Sequence, residues 1–152
     1  MDLKTEAWQL GSISTRELAE AQKMFASGVR RAWISEFTNG LFFVEPHPDL
    51  RERLLETDMR VDADNAASLL SDVCRKDFRA AVSSLGLPSL LIYGQNDLLT
   101  ATGTARRMGA NIPQSELHVL TRTGHSPMME NPDALQQLVA GFANRLERTV
   151  AI

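Results

Sequence analysis

From Pro88 onward the apolar spacing changes from helical to extended, and that change restricts the architectures open to the chain. Two short apolar runs, SLLIYG at 89–94 and SELHVLT at 115–121, flank the stretch ATGTARRMGA, which suits a short helix. SLLIYG is stopped by Gly94 and is nearly all apolar, the pattern of a strand buried on both faces. A turn is expected at 111–113. Residues 132–147 then predict a final helix, with Asn131 as its cap and Pro132 at the first helical position. Leu135, Leu138, Val139, Phe142 and Leu146 recur on one face of it. Strand, helix, strand, helix implies two parallel strands joined by a crossover, an α/β arrangement.

The upstream part reads differently. Ser14-Thr15-Arg16-Glu17 has the form of a capping box, followed by Leu18, Ala21, Phe25 and Val29 at helical spacing. Residues 29–44 are denser in apolar groups, which suits a segment buried on most sides or one lining a pocket. Pro46 and Pro48 interrupt it, and Pro48 is placed to open a helix with Leu50, Leu54 and Leu55 inward. Another helix is expected from about Asp64, with Leu69, Leu70 and Val73 on its apolar face, and a short one capped by Asp77 and ending near Leu85. The expected division is a helical region, 1–86, and a βαβα region, 87–152.

With 43% apolar and 23% charged residues, the 152-residue chain has a globular composition. A net charge of −3 gives no basic excess for nucleic acid. No apolar run is long enough for a membrane span, and MDLKTEAWQL lacks the form of a secretory signal, so a cytoplasmic protein is the default expectation. Cys74 is the sole cysteine and the three histidines lack tight ligand spacing, so neither a disulfide framework nor a metal site is expected. His47 between two prolines reads as an exposed turn residue. His118 alternates with Leu117 and Val119 and should face the other side of the sheet.

Two polar residues occupy matched positions. Asp97 follows the first strand and His125 the second, so both fall at the carboxyl edge, where open α/β sheets bind ligands. Neighbouring strands lie roughly 4.8 Å apart, close enough for the two loops to bring a carboxylate against an imidazole. The carboxylate would then orient the ring, leaving the other ring nitrogen as a base. Singly, each residue has a plainer reading: Asp after a Gly turn often just caps the next helix, and Gly-His is often only a turn. Their matched placement favours the catalytic reading.

The segments LPSLLIYGQNDLLT, ARRMGANIPQSELHVLTRTGHSPMMENPDAL and FANRL resemble the C-terminal part of α/β-hydrolase-fold proteins, in the helical-capped esterase and haloperoxidase-like branch. The shared pattern is a Pro-led strand, Gly-x-x-Asp, a helix ending in Ile-Pro, a strand, Gly-His, Glu-x-Pro and a terminal helix. DFRAAVSSLGLPSLLIYG is similar to the family's run from cap to strand, and WQLGSIST to the start of the cap. The resemblance implies a partial α/β-hydrolase fold: a helical cap followed by a βαβα unit with two parallel strands. It also implies a Ser-His-Asp triad in which Asp97 is the acid and His125 the base, with no metal or organic cofactor. Cofactor-free haloperoxidase-like perhydrolysis would use the same residues. In this reading Trp33, Phe37, Phe42 and Phe43, otherwise core aromatics, belong to the cap, and Trp33, Phe37 and Phe42 line an acyl or aromatic substrate site. Leu98, Ser126, Pro127 and Met128 form its wall beside the pair.

One part of the family pattern has no match: no Gly-x-Ser-x-Gly occurs in the sequence, and the oxyanion loop that would precede it is missing too. Two expectations from different classes follow. One is an ester or acyl hydrolase whose serine comes from elsewhere, the chain alone being inactive. The other is a non-catalytic binding or assembly module that retains Asp97 and His125. Two strands make a poor sheet and leave an open edge. The expected partners are therefore a second copy of the chain or a complementary N-terminal hydrolase half, together with a small ester or acyl substrate.

Overall fold

The computed structural model describes residues 15–100 and 102–150. The expected capping box, which needs Ser14 and the side chain of Glu17, the side chain of Leu18, and the WQLGSIST match before Thr15 lie outside the described residues. Five helices come first: α1 (Thr15–Phe25), α2 (Arg30–Gly40), α3 (Pro48–Met59), α4 (Ala63–Arg75) and the short α5 (Arg79–Ser83). The α/β part follows: β1 (Ser89–Gly94), α6 (Thr102–Asn111), β2 (Ser115–Leu120), α7 (Pro127–Glu130) and α8 (Pro132–Val150).

Local chemistry explains the helix starts. Pro48 opens α3, and the His47 ring is not idle in its turn: its Nδ1 accepts from the Asp49 amide at 3.3 Å. The α4 helix begins just before the expected Asp64, because the Asp62 carboxylate accepts from the amides of Asp64 and Asn65, both at 3.0 Å. Asp77 likewise accepts from the Arg79 amide at 3.0 Å, at the start of α5. The Arg79 guanidinium beside Asp77 holds that carboxyl down to about 2.

In the helical part α1 packs on α4 and α2 on α3. Ile34 and Thr38, one turn apart, are the buried residues of α2, and Leu55 is the buried residue of α3. An aromatic row joins α1 to α2: Phe25 meets Trp33 edge-on at 5.2 Å, and Trp33 stacks on Phe37 at 5.6 Å. In α4 Leu69 is 63% exposed and Val73 is also exposed, and α1 is the neighbour with which α4 makes its larger contact.

β1 and β2 pair in parallel, in register from Ser89↔Ser115 to Gly94↔Leu120. The α6 helix crosses between them and packs on both strands, with Ala105 fully buried. Gly109 lets α6 approach β2: a Cβ there would sit 3.3 Å from the Leu117 side chain. On the other face Glu116 receives the Arg145 guanidinium from α8 and lies 3.8 Å from His118, so His118 shares a face with Glu116.

β1 departs from the expectation of a strand buried on both faces. All its residues before Gly94 are half-buried. The cause is its second edge. Ser89 and Gln95 donate to Gln114 and Leu120, on the β2 side. Residues of the other parity, Leu90 and Ile92, therefore turn their peptide groups away from β2, and no described strand pairs there. Among the described residues no helix is long and apolar enough to cross a membrane.

Candidate active site

The loops after β1 and β2 are bonded to each other through their main chains. Gln95 donates to Leu120 O at 2.8 Å and Asn96 to Thr123 O at 2.9 Å. At this point the two loops are in direct backbone contact. A Cβ on Gly94 would lie 2.0 Å from Gly124 O and 2.3 Å from Thr123 O, so only glycine fits. Thr123 is fully buried, and its hydroxyl donates to Thr121 O at 3.0 Å within the turn. Arg122 holds a left-handed φ of 53° there.

This arrangement brings Asp97 and His125 together, with Asp97 Oδ2 2.9 Å from His125 Nδ1. The other carboxylate oxygen, Oδ1, accepts from the amides of Leu99 at 2.8 Å and Thr100 at 2.9 Å. Asp97 thus faces the imidazole, and the plainer expectation that it caps the next helix is corrected to a cap of the 97–100 turn that precedes α6. The Asp97 side chain is 4% exposed and that of His125 40%. The carboxylate is held rigidly below, while the ring reaches a cavity. An imidazole bonded at Nδ1 presents Nε2 as a proton acceptor.

That cavity, about 530 Å³, is lined by Asp97 and His125 with Phe78, Val82, Tyr93, Met108 and Met128 among others. Burial pushes the Tyr93 phenol above its ordinary range, and the negative charge of Asp97 acts in the same direction. Its hydroxyl lies 3.0 Å from the Met108 sulfur. A second cavity of about 610 Å³ lies among α1, α2 and α4, and Trp33, Phe37, Leu70 and Leu99 are part of its lining. The segment 97–100 borders both, with Asp97 and Thr100 on the first and Leu99 on the second.

The structure distributes the expected pocket residues as follows. Met128 lines the cavity holding Asp97 and His125. Trp33 and Phe37 line the second one. Phe42, Leu98 and Ser126 line neither; Leu98 is 73% exposed, and Ser126 precedes α7, where its carbonyl accepts from Met129 and Glu130. Three residues to which the sequence assigned no contact with the base contact the His125 loop: Leu41, Phe43, expected as a cap aromatic, and Glu130. Glu130 belongs to the Glu-x-Pro motif, but its partner Phe43 lies 87 residues upstream, where no local pattern points.

Asp97→Asn tests the pairing. The Asn carbonyl can retain the turn cap, which puts an NH₂ opposite Nδ1 and drives the ring to the tautomer protonated at Nε2. Nitrogen NMR of His125 should report that switch. Unchanged ring-nitrogen shifts would mean that the carboxylate does not govern the tautomer.

The paired parallel strands, the crossover helix and the helices before them define the α/β-hydrolase fold in part. The chain is similar in sequence to part of α/β-hydrolase proteins, and its fold is a partial α/β-hydrolase fold. It is 31% identical over 110 residues, 66% of its length, to 2-hydroxy-6-oxononadienedioate/2-hydroxy-6-oxononatrienedioate hydrolase 2 of Pseudomonas putida. Over 77 residues, 51% of its length, it is 31% identical to the pimeloyl-[acyl-carrier protein] methyl ester esterase of Vibrio atlanticus. The matches span only 38% and 29% of these two relatives. Among solved structures, a bromoperoxidase from Bacillus anthracis superposes with a TM-score of 0.78 at 16% identity, over 86% of this chain and 49% of the other. No family model matches the chain.

Proposed function

We propose that this chain supplies the acid and base of a carboxylic-ester or related acyl hydrolase of the Ser-His-Asp type, in the cytoplasm. The observation that carries the reading is the 2.9 Å contact between Asp97 and His125 at the carboxyl edge of two parallel strands, facing a largely apolar cavity. A serine hydroxyl from outside these 152 residues attacks the acyl carbon, and His125 Nε2 takes its proton. The same proton passes to the leaving alkoxide as the acyl-enzyme forms. Water, deprotonated by His125, then releases the acid and the serine. Asp97 keeps its charge throughout and stabilises the imidazolium. Names among the relatives support an acyl or ester substrate, since one is a methyl ester esterase.

The partner in this reading is a complementary N-terminal hydrolase half whose strand adds to β1. The outward peptide groups of Leu90 and Ile92 favour an added strand over a side-chain contact. A second copy of the chain is the rival occupant, and it fits the alternative role of a non-catalytic assembly module.

Co-expression with the pre-cap half of an esterase relative is the test, read by p-nitrophenyl ester hydrolysis and by light scattering. The expected result is a 1:1 complex that turns over the ester, with the isolated chain at background. A homodimer that excludes the half, or a silent 1:1 complex, would favour the assembly module. Turnover by the isolated chain would mean that it holds its own nucleophile.

A further inference from the structure

We propose that Glu130 is a positioning residue for His125, locking the base loop to the chain that leaves α2. Its two carboxylate oxygens are divided between two segments. Oε2 accepts from the Gly124 amide at 2.7 Å, and Oε1 accepts from the Phe43 amide at 2.5 Å. The His125 amide itself donates to Leu41 O at 2.7 Å. The segments are in close contact: a Cβ on Gly124 would lie 2.6 Å from Leu41 O and 2.9 Å from Phe43 N. The Arg122 guanidinium closes the junction from the other side, 5.9 Å from the Phe43 ring centroid.

Glu130 is not among the residues lining the cavity that holds His125, so its action runs through the main chain. Gly124 has no side chain to fix its own peptide, so hydrogen bonds must do so. A carboxylate suits the task because it offers two acceptors and no donor, and its charge strengthens both bonds. An amide could serve one of the two segments, and a methyl group neither. Without the bridge the peptides on either side of Gly124 keep only the Asn96 bond to Thr123 O and the His125 bond to Leu41 O, and the imidazole that follows is held less firmly against Asp97. Base catalysis is sensitive to displacements of this size.

The inference rests on the reading of His125 as the base, but its test involves no turnover. Amide exchange and His125 ring resonances would be followed by NMR in the full chain, in Glu130→Ala and in Glu130→Gln. In Glu130→Ala the Gly124 and Phe43 amides should exchange at least tenfold faster. The His125 Nδ1 proton resonance should broaden or shift, while the Leu91 and Tyr93 amides, which face β2, stay protected. Glu130→Gln should release one of the two amides and perturb the ring signal less. Two results would overturn the proposal: a ring signal unchanged in both variants, or strand amides accelerated as much as Gly124. If Glu130→Ala does not fold, Glu130→Gln decides on the same two criteria. Failure of the base reading has a different signature: full ester hydrolysis by a His125→Ala complex with Glu130 intact.

Discussion

Gly94→Ala is expected to destabilise the chain by about 3 kcal/mol or more, the upper range for overpacking a site that cannot relax. The atoms in the way are two backbone carbonyls, Gly124 O at 2.0 Å and Thr123 O at 2.3 Å from the new Cβ. Neither can swing aside as a side chain would. Both belong to the loop that carries His125, and Asn96 is bonded to one of them. A domain is stable by only about 5–15 kcal/mol, so the change should lower the urea midpoint markedly or prevent folding. Gly103→Ala is the matched control, because that glycine lies in α6 with nothing within 4 Å of its built Cβ. It should leave the midpoint unchanged or raise it slightly. Equal midpoints for Gly94→Ala and the parent would show that the two loops can part at no cost.

The largest kinetic effect is expected at His125. In the complex with an N-terminal half, His125→Ala should lower kcat for a p-nitrophenyl ester by about 10⁴-fold or more, with KM little changed. The reason is the proton inventory. Without the imidazole the serine must lose its proton to water, and the alkoxide must leave unprotonated. Asp97 cannot substitute, since its carboxylate is buried and engaged by the Leu99 and Thr100 amides. Assembly, followed by light scattering, should be unaffected, which separates a chemical defect from a failure to associate. A loss of less than tenfold would remove His125 from the reaction.

Much of the α/β part was legible because its determinants are local. Alternation, a stopping Gly and an Asn-Pro start are properties of a few adjacent residues, and they located β1, β2 and α8. Parallel pairing followed from the helix between the strands, and it put Asp97 and His125 at one edge. What escaped depends on distant chain. α7 is a single turn of four residues, too short to carry a period. The burial of β1 was overestimated because it depends on a neighbour at its second edge, which an apolar run implies but does not contain. Trp33 and Phe37 were grouped with Asp97 and His125 through the family resemblance. Their cavity is set by how α1 and α4 pack, which leaves them across the 97–100 segment from His125. Glu130 stood in a motif, yet its role depends on Phe43, and no sequence spacing encodes that meeting.

The direct bonding of the two post-strand loops has a bearing on heredity. Asp97 and His125 are 28 residues apart, and the bonds that align them come from the segment between Leu41 and Glu130. They are therefore transmitted as one block. A recombination event upstream of that segment could exchange the nucleophile-bearing region of a hydrolase without altering the geometry of the pair. The sequence upstream of Leu41 can then diversify while Asp97, His125 and the cavity beside them pass on together.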